Sequence, residues 1–72
     1  MEHNMNYRPA TAREKANVSV GDTIWMEGTD GPVKGTVHEI KEVNTHGGNS
    51  HIIIIFYDLP IYRLNYMLVE EE

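Results

Sequence analysis

The chain contains no cysteine, so neither a disulfide frame nor a thiolate metal site can brace it. It holds only three prolines, one phenylalanine and one tryptophan. No apolar run approaches the roughly 20 residues of a membrane span, which argues against a membrane protein. The first residues, MEHNMNYRPATAREK, lack the apolar stretch of a secretory signal, and a cytoplasmic location is expected. Cations are scarce as well. Residues 1–17 carry Arg8, Arg13 and Lys15 against two acids, whereas residues 18–72 carry Lys34, Lys41 and Arg63 against nine. With a net charge of −5, that larger part would repel a phosphate backbone unless its few cations shared one face. Nucleic acid is therefore the weaker partner expectation. The acidity itself reads first as a contribution to solubility.

Catalytic signatures are missing too. Ser19 and Ser50 stand in no Gly-x-Ser-x-Gly elbow. Neither Gly31–Gly35 nor Gly47-Gly48 is followed by the lysine and helix start of a phosphate-binding loop. His38, His46 and His51 flank one Gly-rich stretch and are the only metal candidates, with Glu39 or Asp58 as further ligands. Their spacing matches no zinc signature, and surface histidines beside a hairpin loop are the simpler reading. No cofactor, metal or enzymatic activity is expected.

What is present is a β pattern. Ile52–Ile53–Ile54–Ile55–Phe56–Tyr57 is six residues of apolar, β-branched and aromatic character, the mark of a strand rather than a helix. Alternation places Ile52, Ile54 and Phe56 on one face and Ile53, Ile55 and Tyr57 on the other. A chain of 72 residues can build one small core and struggles to build two. The second face is then covered by the N-terminal residues, with Met5, Tyr7 and Ala10 as candidates, or offered to a partner.

The remaining elements follow from turn signals and periodicity. Residues 1–9 show no periodicity and are expected to be mobile. Pro9 and Ala10–Ala16 suit a single helical turn, with Thr11 and Glu14 spaced as a capping box. Val18–Val20 and Thr23–Glu27 read as β, the latter with Ile24 and Met26 inward and Trp25 outward or at a rim. Gly28–Pro32 is a loop. Val33–Val43 is a long, bent strand whose Val37 and Ile40, three apart, break alternation and predict a bulge near His38-Glu39. Gly35 would permit the bend. After the isoleucine strand, Asp58-Leu59-Pro60 turns the chain, Ile61–Leu64 and Tyr66–Val69 form the last two elements, and Glu70–Glu72 is a solvated tail. The expectation is an all-β fold, a small five-stranded barrel over residues 18–72 with a flexible N-terminal arm over 1–17.

Val20-Gly21-Asp22-Thr23-Ile24, Gly31–Ile40, Ile54-Ile55-Phe56-Tyr57-Asp58 and Leu68-Val69-Glu70-Glu71 resemble the small SH3-like barrels of the Tudor and KOW type. The likeness spans about residues 18–72. A short helix before five bent strands also resembles the Sm-like fold, although the Sm motif of Asp, an apolar residue and Asn is not clearly present. Tudor and KOW relatives bind nucleic acid, methylated side chains or peptides. The basic loops of the nucleic-acid binders are lacking here. Trp25, Tyr57 and Tyr62, with Asp58, could form an aromatic cage of the Tudor type, but the simpler reading is that these rings pack the barrel and its rim.

Together these features point to a non-enzymatic binding module. Its expected partner is a protein, met through Ile53, Ile55 and Tyr57 with Trp25 and Tyr62 nearby. A homodimer through the same face is one form of that use. A module of this size suits a small accessory or inhibitory protein, for instance one from a phage or mobile element. A nucleic-acid-binding barrel and a self-assembling structural subunit are the alternatives.

Overall fold

The computed structural model describes residues 6–71. The order is β1 (Asn6–Pro9), α1 (Ala12–Ala16), β2 (Thr23–Gly28), β3 (Gly31–Asn44), β4 (Ser50–Phe56), β5 (Tyr62–Arg63), a 3₁₀ turn (Leu64–Tyr66) and β6 (Met67–Glu71). All pairings are antiparallel, in the order β1-β6-β2-β3-β4-β5. The all-β class is thus as expected, with six strands among the described residues rather than five. Among the described residues the strands form one open sheet with β1 and β5 at its edges, where a closed barrel was expected.

β3 joins the two halves. Its first part, Gly31–Thr36, pairs with β2, and its second part, Val37–Asn44, pairs with β4. Between them the register shifts at Val37/Glu39, the bulge expected at His38. Gly35 is buried beside it. A Cβ there would stand 2.5 Å from Leu59 Cδ1 and 2.7 Å from Phe56 Cδ1, so the glycine serves close packing at the bend. The β2–β3 hairpin closes through Thr29-Asp30, and Gly31 takes the positive φ of 122° that the return requires.

The core is made where the bent sheet folds its inner face together. Ile24 and Met26 from β2, Val37 from β3, Ile54 and Phe56 from β4, and Leu64 and Met67 meet there, with Ala10 added from the N-terminal side. Tyr62 packs edge-on against Phe56, ring centroids 6.1 Å apart. The Thr36 amide donates to Asp58 Oδ1 at 3.0 Å, and the Tyr57 amide donates to the Thr36 carbonyl, so the aromatic–Asp end of β4 is tied back to β3.

Several elements depart from the sequence expectation. Residues 6–9, expected to be mobile, form β1 on β6, and the Ala10 amide extends that pairing to the Met67 carbonyl. Asn6–Pro9 carries no apolar alternation because its partner supplies backbone groups rather than a hydrophobic face. Met5 lies outside the described residues. Val18–Val20 is not a strand: it is held by the Ser19 amide donating to Asp22 Oδ2, and Val20 stays exposed. β5 is two residues, shorter than expected, because the chain leaves the sheet into the 3₁₀ turn that buries Leu64. Glu70 and Glu71, expected in a solvated tail, belong to β6 and lie opposite Tyr7 and Asn6. The helical turn is as expected. Glu14 donates its amide to Thr11 Oγ1, and Thr11 donates its amide back to Glu14 Oε1.

Candidate functional site

The alternation of β4 holds in the structure. Ile54 and Phe56 are buried on the inner face, whereas Ile53 and Ile55 are half-buried and Tyr57 is 68% exposed on the outer one. Directly opposed residues of an antiparallel pair share a face. Ile53 faces Lys41 on one side and Arg63 on the other, Ile55 faces Glu39, and His51 faces Val43. Ile61, which immediately precedes β5, is 61% exposed, and continuing the β4–β5 register by one step would set it level with Ile55. The outer face therefore has an apolar centre of Ile53 and Ile55, with Tyr57 at one end, Ile61 just before β5 and charged residues across it.

The charges on this face are ordered. Lys41 and Arg63 share the level of Ile53, and Glu39 lies one level along, at Ile55. Lys41 Nζ is 3.7 Å from Glu39 Oε2, with both side chains about half exposed. Such an exposed pair contributes little to stability by itself. Lys41 and Arg63 are the cross-strand neighbours of Ile53 on this face, a position from which long aliphatic stems can shield it. Lys41, Glu39, Arg63 and Ile61 were absent from the sequence reading of this face. Only the cross-strand register reveals them, although the i, i+2 spacing of Glu39 and Lys41 on a β pattern carried the hint.

The bulge adds His38 to the open end. Its ring lies 4.4 Å from that of Tyr57 at 39°. His46 sits in the β3–β4 turn and His51 on β4, so the three candidate metal ligands occupy three separate places. Among the described residues no group of three or more His, Cys, Asp or Glu stands close enough to hold a metal ion.

The aromatic candidates are dispersed too. Trp25 pairs across the sheet with Lys34 and Leu68, far from β4 in strand order. Its ring meets Tyr7 edge-on at 4.9 Å, and Lys34 Nζ stands 5.6 Å from its centroid. Tyr62 turns to the core. The structure thus does not bring Trp25 and Tyr62 to the face of Ile53, and Trp25, Tyr57 and Tyr62 do not form one cage.

Of the residues named as possible cover for the outer face of β4, Tyr7 and Ala10 lie elsewhere. Tyr7 meets Trp25 and Ala10 enters the core. Arg8 fastens this segment. It donates two hydrogen bonds of 2.7 Å to the Glu14 carboxylate and lies 3.5 Å from Glu71. Hydrogen bonding from Arg8, with the Thr11 amide added, pushes the Glu14 carboxyl down from 4.5 to about 2. The Arg8 guanidinium is raised in turn, chiefly by Glu14.

Two of the open grooves among the described residues flank the sheet. One, of about 480 Å³, runs between α1 and the inner side of the β3–β4 hairpin, with Ile40, Ile52 and Leu64 as its apolar lining and Lys15 and Glu42 at its lips. Ile52 is 40% exposed although it is in line with Ile54, because β4 extends past the core. The other, also about 480 Å³, lies over Tyr7, Pro9, Pro32 and Leu68 with Glu27 beside them. No helix among the described residues is long and apolar enough to cross a membrane.

Comparison with known proteins adds no assignment: no protein-family model matches the chain, and neither a curated protein nor a solved structure matches it significantly.

Proposed function

We propose that this chain is a non-enzymatic cytoplasmic binding module that docks on a protein through the outer face of β4. The observation that carries this reading is the outward row Ile53–Ile55–Tyr57 of β4 and its end, with Tyr57 keeping 68% of its surface in water, and Ile61 just before β5 keeping 61%. Contiguous apolar and aromatic surface of this kind on a small domain marks an interaction site. The role of a small accessory or inhibitory protein remains the biological setting this reading suits. The bent β3, shared by both halves of the sheet, supports the proposed kinship with SH3-like barrels.

The cations give the nucleic-acid alternative little support. Arg8 is engaged by Glu14 and Glu71, Lys41 by Glu39, and Lys34 lies over Trp25. A basic stripe able to follow a phosphate backbone would need them together.

The test is capture from a cell lysate, with and without nuclease, comparing the wild type with Ile53→Lys/Tyr57→Glu. A protein that survives nuclease and is lost with the double variant, whose fold is checked by circular dichroism, supports the reading. Loss of every bound species after nuclease, with the variant unaffected, overturns it and moves nucleic acid to first place.

A further inference from the structure

The charges around the apolar row select a specific occupant. We propose that the outer face of β4 packs on the same face of a second copy of this chain, about a twofold axis that runs across the strands. The proposal rests on reading this face as a docking surface and names what docks there.

The argument is one of register. Closed twofold pairing is the commonest solution for identical chains, and two sheets can meet face to face about 10 Å apart. An axis across the strands, centred between Ile53 and Ile55, lays β3 over β3 and sets the two β4 strands antiparallel. Ile53 then meets Ile55 of the second copy. Lys41 meets Glu39 of the second copy, and by symmetry Glu39 meets Lys41. The Arg63 stem lies along Ile61. Ile53, Ile55, Lys41, Glu39 and Arg63 are placed by the observed pairing of β4 with β3 and β5, and Ile61 by continuing that register one step. The other face-to-face choice, an axis along the strands, lays β3 over β5 and sets Lys41 against Arg63. Like charges placed together select against that arrangement. The surface is therefore self-complementary in one orientation and not in the other.

The face is small. Three strands about 4.8 Å apart and seven residues of about 3.3 Å each outline roughly 15 × 23 Å. That is less than the roughly 800 Å² per partner of a stable interface, so the dimer exchanges readily and forms only at high concentration.

Sedimentation equilibrium from about 10 µM to about 1 mM tests this, a range suited to a small, weak interface. The variants are Lys41→Glu, Glu39→Lys and the double exchange Glu39→Lys/Lys41→Glu. Both side chains are about half exposed, so each variant should fold, and its thermal transition is recorded beside the mass. The wild-type mass should rise toward twice the monomer. Each single exchange puts like charges together twice and should weaken association about tenfold or more, while the double exchange should return it to within about threefold of wild type. A wild type monomeric throughout, or a dimer indifferent to both single exchanges, overturns the proposal. If the wild type stays monomeric while Ile53→Lys/Tyr57→Glu still loses a captured protein, only the second-copy proposal fails. If that captured protein is not lost either, the docking reading fails with it.

Discussion

Ile54 and Ile55 are neighbours in the chain with identical side chains, yet Ile54 is fully buried and Ile55 keeps contact with water. Ile54 points into the fold of the sheet, among Val37, Phe56 and Leu64, where both halves of the molecule meet. Ile55 points away from that fold, opposite Glu39. Side-chain chemistry is the same on the two faces, so the difference comes from curvature. A sheet bent over one face can bury that face against itself, and the opposite face is left for something else.

The comparison breaks most sharply at its buried member. Ile54→Ala should cost about 3 kcal/mol, from lost transfer energy and a cavity that close packing cannot refill. A domain this small holds only several kcal/mol in total, so urea denaturation should show a large drop in midpoint. Gly35→Ala comes next, at about 2 kcal/mol, because its Cβ would collide with Phe56 and Leu59 at the bend that separates the faces. A neutral result in the same urea experiment would mean that those side chains yield without disturbing the curvature.

Ile55→Ala should cost about 1 kcal/mol, well below Ile54→Ala, since part of its surface is already in water. Equal losses at the two positions would show that the outer face is covered in solution even at low concentration. Tyr57→Ser should change stability by no more than about 0.5 kcal/mol while weakening any docking at this face, so thermal melts and binding assays should separate.

The smallest effect is local and concerns the other end of the sheet. Glu14 titrates lower in the folded chain than in the unfolded one, so its contact with Arg8 stabilises β1 fully above about pH 4.5 and is lost as pH falls toward 2. Hydrogen-exchange protection at the β1 amides, corrected for the intrinsic pH dependence of exchange, should fall through that window. Glu14→Gln should remove this pH dependence, and persistence of it in the variant would assign the effect to another carboxylate.

Much of the fold was legible where neighbours along the chain decide the outcome. The alternation of β4, the bulge at His38, the capping box of Thr11 and Glu14, and the inward Ile24 and Met26 all follow from local spacing and side-chain shape. β1 was not legible, because Asn6–Pro9 is held by β6 backbone groups and by the reach of Arg8 to Glu14 and Glu71. The candidate face was half legible. Its apolar row is written in β4, whereas its charged and exposed companions come from β3 and from the approach to β5.

The sequence by itself determined which residues alternate, where the long strand must bulge and bend, and that no sulfur chemistry braces the fold. Periodicity, β-branching and glycine placement act within a few residues, so they can be read in order. Only the tertiary structure decided that Tyr7 meets Trp25, that Tyr62 turns to Phe56, and that Lys41 and Arg63 flank Ile53 with Glu39 one step along. Those placements depend on cross-strand register and on the curvature of the whole sheet, which sum the preferences of many strands and belong to no single stretch of chain.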